Sequence, residues 1–227
     1  MRQRPASRPL GLVYRGPAAF AECSEAVAGL LRNSTSDFDV RYVGPHEKIK
    51  ISPAALRSAA LYAQPGGGSL NKAYRKMKGT ADIIRDYVSS GGRYVGFCLG
   101  GYLAGRSPGF NLLPGDTDQF ITSPGAGVTQ EVDTVVDVYW RGHLRRMYFQ
   151  DGPYFQLDTE SENVIVLATY ANGRIAAMVT PFGQGKVGVV GPHPEATAGW
   201  YEDYGLTNPD GIDTELGCEL IETLMQP

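Results

Sequence analysis

The run Leu10-Gly11-Leu12-Val13-Tyr14 is apolar and is closed by Gly16-Pro17, and between Glu22 and Asn33 the apolar positions Ala26, Val27, Leu30 and Leu31 recur at helical spacing. This predicts a strand followed by a helix. The same alternation continues through a strand over residues 38–43 ended by Gly44-Pro45, then a helix opened by Ser52 as N-cap with Pro53 at its first position. A buried strand over 59–63 runs into Pro65-Gly66-Gly67-Gly68, and one long helix is expected over 73–89, with Met77, Ala81, Ile84 and Val88 on its apolar side and Gly91-Gly92 as its stop. Strands interleaved with helices predict a mostly parallel sheet covered on both faces.

The second half changes period. Residues 131–140 alternate, with Val132, Val136, Val138 and Trp140 assigned to one side, and the runs 164–170 and 175–180 flank the hairpin signal Asn172-Gly173. A turn at Gly183-Gln184-Gly185 leads into Val187-Gly188-Val189-Val190-Gly191, and residues 214–225 close the chain as a helix through Leu216, Leu220, Ile221 and Leu224. The pattern predicts an α/β domain over 10–227 with a β-rich extension, preceded by a flexible basic leader over 1–9.

Composition narrows the function classes. With 42% apolar residues, 20% charged residues and a net charge of -3, the 227-residue chain offers no electrostatic case for nucleic acid. No stretch approaches the roughly 20 apolar residues of a membrane helix. Three cysteines without a repeated spacing suit a reducing, cytoplasmic compartment.

Chemistry concentrates where the strand Arg93-Tyr94-Val95-Gly96-Phe97 breaks at Cys98 and a helix restarts at Leu99-Gly100-Gly101-Tyr102. Gly96 and Gly100 give the backbone room for a sharp turn, and amides at a helix N-terminus favour a thiolate. Of the three histidines, His46 and His143 fall in polar turns, whereas His193 ends an apolar strand. Pro194 biases the backbone before it towards an extended form, which places Glu195 on the same side as the ring. The residues therefore point to Cys98 as nucleophile, His193 as base and Glu195 as its orienting group, with backbone amides of Gly67, Gly68 and Leu99 as oxyanion donors.

Gly96-Phe97-Cys98-Leu99-Gly100, the glycine-rich turn upstream, and the run from Val187 to Glu195 together resemble the class I glutamine amidotransferase-like superfamily, across roughly residues 10 to 225. The Pro65-Gly68 turn and the stretch Phe149-Gln150-Asp151-Gly152-Pro153-Tyr154-Phe155 are similar to the amidotransferase-like domain at the N-terminus of biotin-protein ligases. The resemblance implies a flavodoxin-like sheet, a Cys-His-Glu triad, and Tyr102, Asp151 and Tyr154 as pocket residues. Many glutaminases of the superfamily carry glutamine four positions after the cysteine; here Tyr102 stands there.

Two functions follow as expectations. One is a cysteine hydrolase or amidotransferase-like enzyme acting on an amide, ester or thioester, with glutamine disfavoured and no metal or organic cofactor. The other is a non-catalytic binding or regulatory module that retains the architecture. A small molecule is the expected substrate, a partner enzyme or a second copy the expected protein partner, and neither nucleic acid nor membrane is expected.

Overall fold

A computed structural model describes residues 8–158 and 161–227. The expected leader lies outside these residues over positions 1–7, while Arg8 donates to the carbonyl of Asp37 at 2.8 Å and the carbonyl of Pro9 accepts from the amide of Asp39.

The chain alternates β1 (Leu10–Tyr14), α1 (Ala21–Asn33), β2 (Asp39–Val43), α2 (Pro53–Arg57) and β3 (Leu61–Gln64). It continues through α3 (Leu70–Met77), α4 (Ala81–Ser89), β4 (Arg93–Phe97) and α5 (Leu99–Ala104). The second part holds β5 (Gly115–Gln119), β6 (Thr134–Trp140), β7 (His143–Phe149), β8 (Pro153–Leu157), β9 (Ile165–Tyr170), β10 (Ile175–Phe182) and β11 (Gly185–Val190), followed by α6 (Ala198–Asp203) and α7 (Thr214–Met225).

One mixed sheet runs in the order β2-β1-β3-β4-β11-β10-β9-β6-β7, and β5 pairs with β8, which joins β10. The first five strands of that path are mutually parallel, and the rest of the path is antiparallel. Successive strand residues face opposite sides, so Leu12 and Tyr14 pack under α2, α3, α4 and α5, while Val13 packs under α1 and α7. Helices on both faces and a β-rich extension are as the pattern predicted, and the architecture is the flavodoxin-like, amidotransferase-like one that the resemblance implied.

Ser52 caps α2 as its spacing implies, its hydroxyl accepting from the amide of Ala55 at 3.2 Å. The single helix expected over 73–89 is instead two, broken by a 3₁₀ turn at Lys78–Thr80 that contains Gly79. Glycine costs about 1 kcal/mol in a helix interior relative to alanine, and a turn of tighter pitch re-aims the apolar face. Val132 also departs from its assigned side: it precedes β6 and is exposed, while Val136, Val138 and Trp140 are buried.

The arrangement brings the carboxyl ends of β1, β3, β4 and β11 to one edge of the sheet. In open α/β sheets that edge is where ligands bind.

Candidate functional site

Cys98 joins β4 to α5 with φ 48° and ψ -106°, a backbone region that costs a non-glycine residue energy and persists only where its surroundings enforce it. The enforcement is visible. The Cys98 amide donates to the carbonyl of Val190 at 2.9 Å, and its carbonyl accepts from the amide of Tyr102 at 3.0 Å. A Cβ on Gly96 would stand 2.3 Å from the carbonyl oxygen of Gly100, and one on Gly100 would stand 2.0 Å from that of Gln64. Both glycines are therefore required by close backbone approach, as the sequence suggested.

His193 follows β11, its amide donating to the carbonyl of Tyr148 at 2.8 Å, and its Nδ1 lies 2.8 Å from Oε1 of Glu195. Both side chains are buried, and Oε2 of Glu195 has no partner among the described residues. The rings of Tyr148 and Trp200 meet the imidazole edge-on, with centroids at 5.9 and 5.3 Å. Gly66 brings the pieces close together: a Cβ there would stand 3.0 Å from His193 Cε1, 3.4 Å from Cys98 Cβ and 3.6 Å from Cys23 Sγ.

Charge in this corner is held on the ring. Burial works against an imidazolium, but the Glu195 carboxylate and the Cys98 sulfur beside it prevail, and the His193 pKa is pushed up to about 10. The Cys98 thiol donates to the carbonyl of Gln150 at 3.7 Å. Burial, then the neighbouring Glu195 and Cys98, raises the Cys23 thiol far above its ordinary value.

Two cavities flank Cys98. One of about 130 Å³ is walled by Cys23, Tyr148, His193 and Trp200. The other, of about 630 Å³, is lined by Tyr102, Asp118, Gln119, Glu131, Gln150 and Asp151, with Gly67, Gly68 and Leu99 at its rim beside the cysteine. Tyr102 donates its hydroxyl to the carbonyl of Asp151 at 3.1 Å, and Gln119 Nε2 donates to Asp151 Oδ2 at 2.8 Å. Asp151 has φ 51°, and its Oδ1 is buried without a partner among the described residues. Its carboxyl is raised, chiefly by desolvation, with the Gln119 bond opposing and Glu131 adding to the shift.

Of the expected pocket residues, Tyr102 and Asp151 thus reach the cleft. Tyr154 does not line either cavity: it is buried in the core, with its hydroxyl accepting from Gln156 and Arg174 stacked 5.0 Å from its ring centroid. Cys23 and Gln119 are cleft residues that the sequence did not reveal. Cys23 sits at the start of an apolar helical stripe, where a cysteine is indistinguishable from a core residue, and Gln119 belongs to a strand without alternation.

Residues 11–121 match the family model for the N-terminal region of biotin-protein ligase. A biotin–protein ligase of Schizosaccharomyces pombe is 31% identical over 173 residues, which is 62% of this chain and 26% of the ligase. This chain carries a glutamine-amidotransferase-like domain, similar to the N-terminal region of biotin-protein ligase. The chain therefore spans about a quarter of the curated relative it matches. Among solved structures, PurLQS from Thermotoga maritima superposes with a TM-score of 0.64 at 19% identity, covering 96% of this chain and 98% of that one. The crystal structure of a glutamine amidotransferase gives 0.60 at 18% identity, with 87% of this chain and 99% of that one covered. At these identities the structural likeness establishes the fold alone.

These matches overturn the expectation of an active Cys-His-Glu hydrolase or amidotransferase. The sequence similarity of the amidotransferase-like domain lies with a ligase N-terminal region, and among the described residues no group of three or more His, Cys, Asp or Glu side chains could hold a metal ion. The hydrolase, catalytic-triad, nucleophile-elbow and oxyanion-hole readings fall with it. In the same corner the Cys98 thiol directs its hydrogen bond to the backbone carbonyl of Gln150 at 3.7 Å.

Among the described residues, no helix is long and apolar enough to cross a membrane.

Proposed function

We propose that this domain is a binding and regulatory module that keeps the amidotransferase architecture without its turnover. On this reading a small polar molecule is held in the larger cavity, and its presence is passed to a biotin–protein ligase activity of the kind named in the S. pombe relative. The observation that carries the proposal is the sequence match to the ligase N-terminal region. The cleft supports it. Cys98 stands at its wall, Tyr102 occupies the position where many glutaminases place a substrate-holding glutamine, and Asp151 with Gln119 and the rim amides of Gly67, Gly68 and Leu99 supply contacts for a ligand.

The test has two arms. Wild type and Cys98→Ser are compared on a panel of amides, esters and thioesters, and no Cys98-dependent turnover is expected; such turnover would refute a non-catalytic module. Biotin transfer by a biotin–protein ligase from the same organism is then measured with and without saturating domain. A changed transfer rate is expected, and an unchanged one refutes the regulatory role.

A further inference from the structure

A third cavity, of about 310 Å³, lies away from Cys98 over the carboxyl ends of β1 and β2. Its apolar walls are Tyr14, Pro17, Pro45, Ile51 and Met77, of which Tyr14 and Met77 are core residues. Its ionisable lining, apart from the Tyr14 phenol, is basic: His46, Lys50 and Lys76, with no carboxylate. Ligand sites in general combine concave apolar walls with a few convergent polar groups.

The cavity is built rather than incidental. A Cβ on Gly16 would stand 2.8 Å from Pro45 Cδ and 2.9 Å from the Tyr14 hydroxyl, and one on Gly44 would stand 2.0 Å from the carbonyl oxygen of Arg15. Only glycine lets the loops after β1 and β2 close on each other there. The loop 44–50 is bonded to itself, the Gly44 amide donating to the Ile49 carbonyl at 3.0 Å and Lys50 Nζ donating to the carbonyls of Pro45 and Glu47, both at 2.7 Å.

Charge decides the ligand. Glu47, the acid in that loop, accepts from Arg15 Nε at 2.7 Å, and its carboxyl is held below the ordinary value by Arg15 first and then by Lys50 and His46. It therefore offsets part of their charge and leaves Lys76 as the cation without an acidic neighbour in the lining. Lys76, in the last turn of α3, makes no hydrogen bond or ion pair among the described residues. An ammonium has three donors, and Lys50 has spent two on carbonyls, leaving one for a ligand. We propose that this cavity binds an organic monocarboxylate, its head group between Lys50, Lys76 and His46 and its apolar body against Tyr14, Ile51 and Met77. The site is independent of the Cys98 cleft and of the function proposed for it.

Octanoate is a suitable probe, with octanamide as its neutral counterpart. Titration of the full chain, followed by two-dimensional amide NMR, is expected to give saturable shifts clustered at residues 44–51 and 76–80. Octanamide and the variants Lys76→Glu and Lys76→Gln are expected to bind about tenfold more weakly or worse, whereas Cys98→Ser binds octanoate as wild type does. Lys76 is exposed, so both variants are expected to fold, which their spectra check directly. Absence of saturable shifts, equal affinity for octanamide, shifts confined to the Cys98 cleft, or unchanged affinity in both Lys76 variants would each overturn the proposal.

Discussion

The two cavities that share Cys98 differ in size and in chemistry. The lobe holding His193 and Cys23 is small and walled by the rings of Tyr148 and Trp200, while the lobe over Tyr102 and Asp151 is several times larger and lined by carboxylates and amides. The residues that looked reactive in the sequence face the cramped side. Space for a ligand opens on the other side, beside Tyr102 and Asp151, which the resemblance had marked, and Gln119, which nothing had. On the function proposed above, Cys98 would stand at the wall of a surface whose recognition is done by its neighbours.

The largest effect should come from the hinge both lobes depend on. Gly100→Ala places a Cβ 2.0 Å from the Gln64 backbone oxygen, which no rotamer change can relieve. A loss of about 3 kcal/mol is expected from overpacking against backbone, read by chemical denaturation. Gly68→Ala is the contrast: its nearest atom would be 3.9 Å away, and only the cost of φ +83° remains, about 1 kcal/mol or somewhat more. Equal losses in the two variants would mean that the strained turn is not held by contact between β3 and α5.

The second experiment separates the small lobe from the large one by its charge. His193 has a folded pKa near 10, above the ordinary value near 6.5, so its stabilising contribution is complete below about pH 6.5 and is lost as pH rises through 10. Glu195→Gln removes the carboxylate that raises it. The wild type should lose stability relative to Glu195→Gln between pH 6.5 and 8, at up to about 1.4 kcal/mol per pH unit. Parallel pH profiles for the two proteins would show that the ring is not held protonated by Glu195.

Much of this was legible from local pattern. The strand-helix alternation of the first half, the Ser52 cap, the Asn172-Gly173 hairpin and the His-Pro-Glu segment each rest on neighbouring residues, and the structure places them as read. Features that depend on remote partners were not. β5, with the sequence Gly-Asp-Thr-Asp-Gln, has no apolar alternation and is a strand only because β8 pairs with it from Gly115 through Gln119. The role of Cys23 in the cleft depends on Gly66 leaving space between α1 and the strand ends, and Tyr154 was drawn into the pocket by sequence proximity to Asp151 although its ring turns to the core.

The smallest effect tests whether the large lobe is shaped for a ligand at some cost to its own stability. Asp151 holds a left-handed backbone conformation that asparagine adopts about as readily, and Gln119 Nε2 bonds only one of its carboxylate oxygens. The other is buried and unpartnered, and desolvation raises the carboxyl above its ordinary value. A carboxyl raised by folding stabilises the protonated form, so the ionised group opposes folding at neutral pH and ceases to do so as pH falls below the unfolded value near 3.9. Asp151→Asn keeps an acceptor for Gln119 and removes the charge. It should therefore raise stability by about 1 kcal/mol at pH 7, with the gain shrinking towards pH 3, while weakening any ligand that uses the carboxylate. A variant less stable than wild type at both pH values would show that the charge of Asp151 is compensated within the domain, and that the large lobe carries no built-in strain for a ligand to relieve.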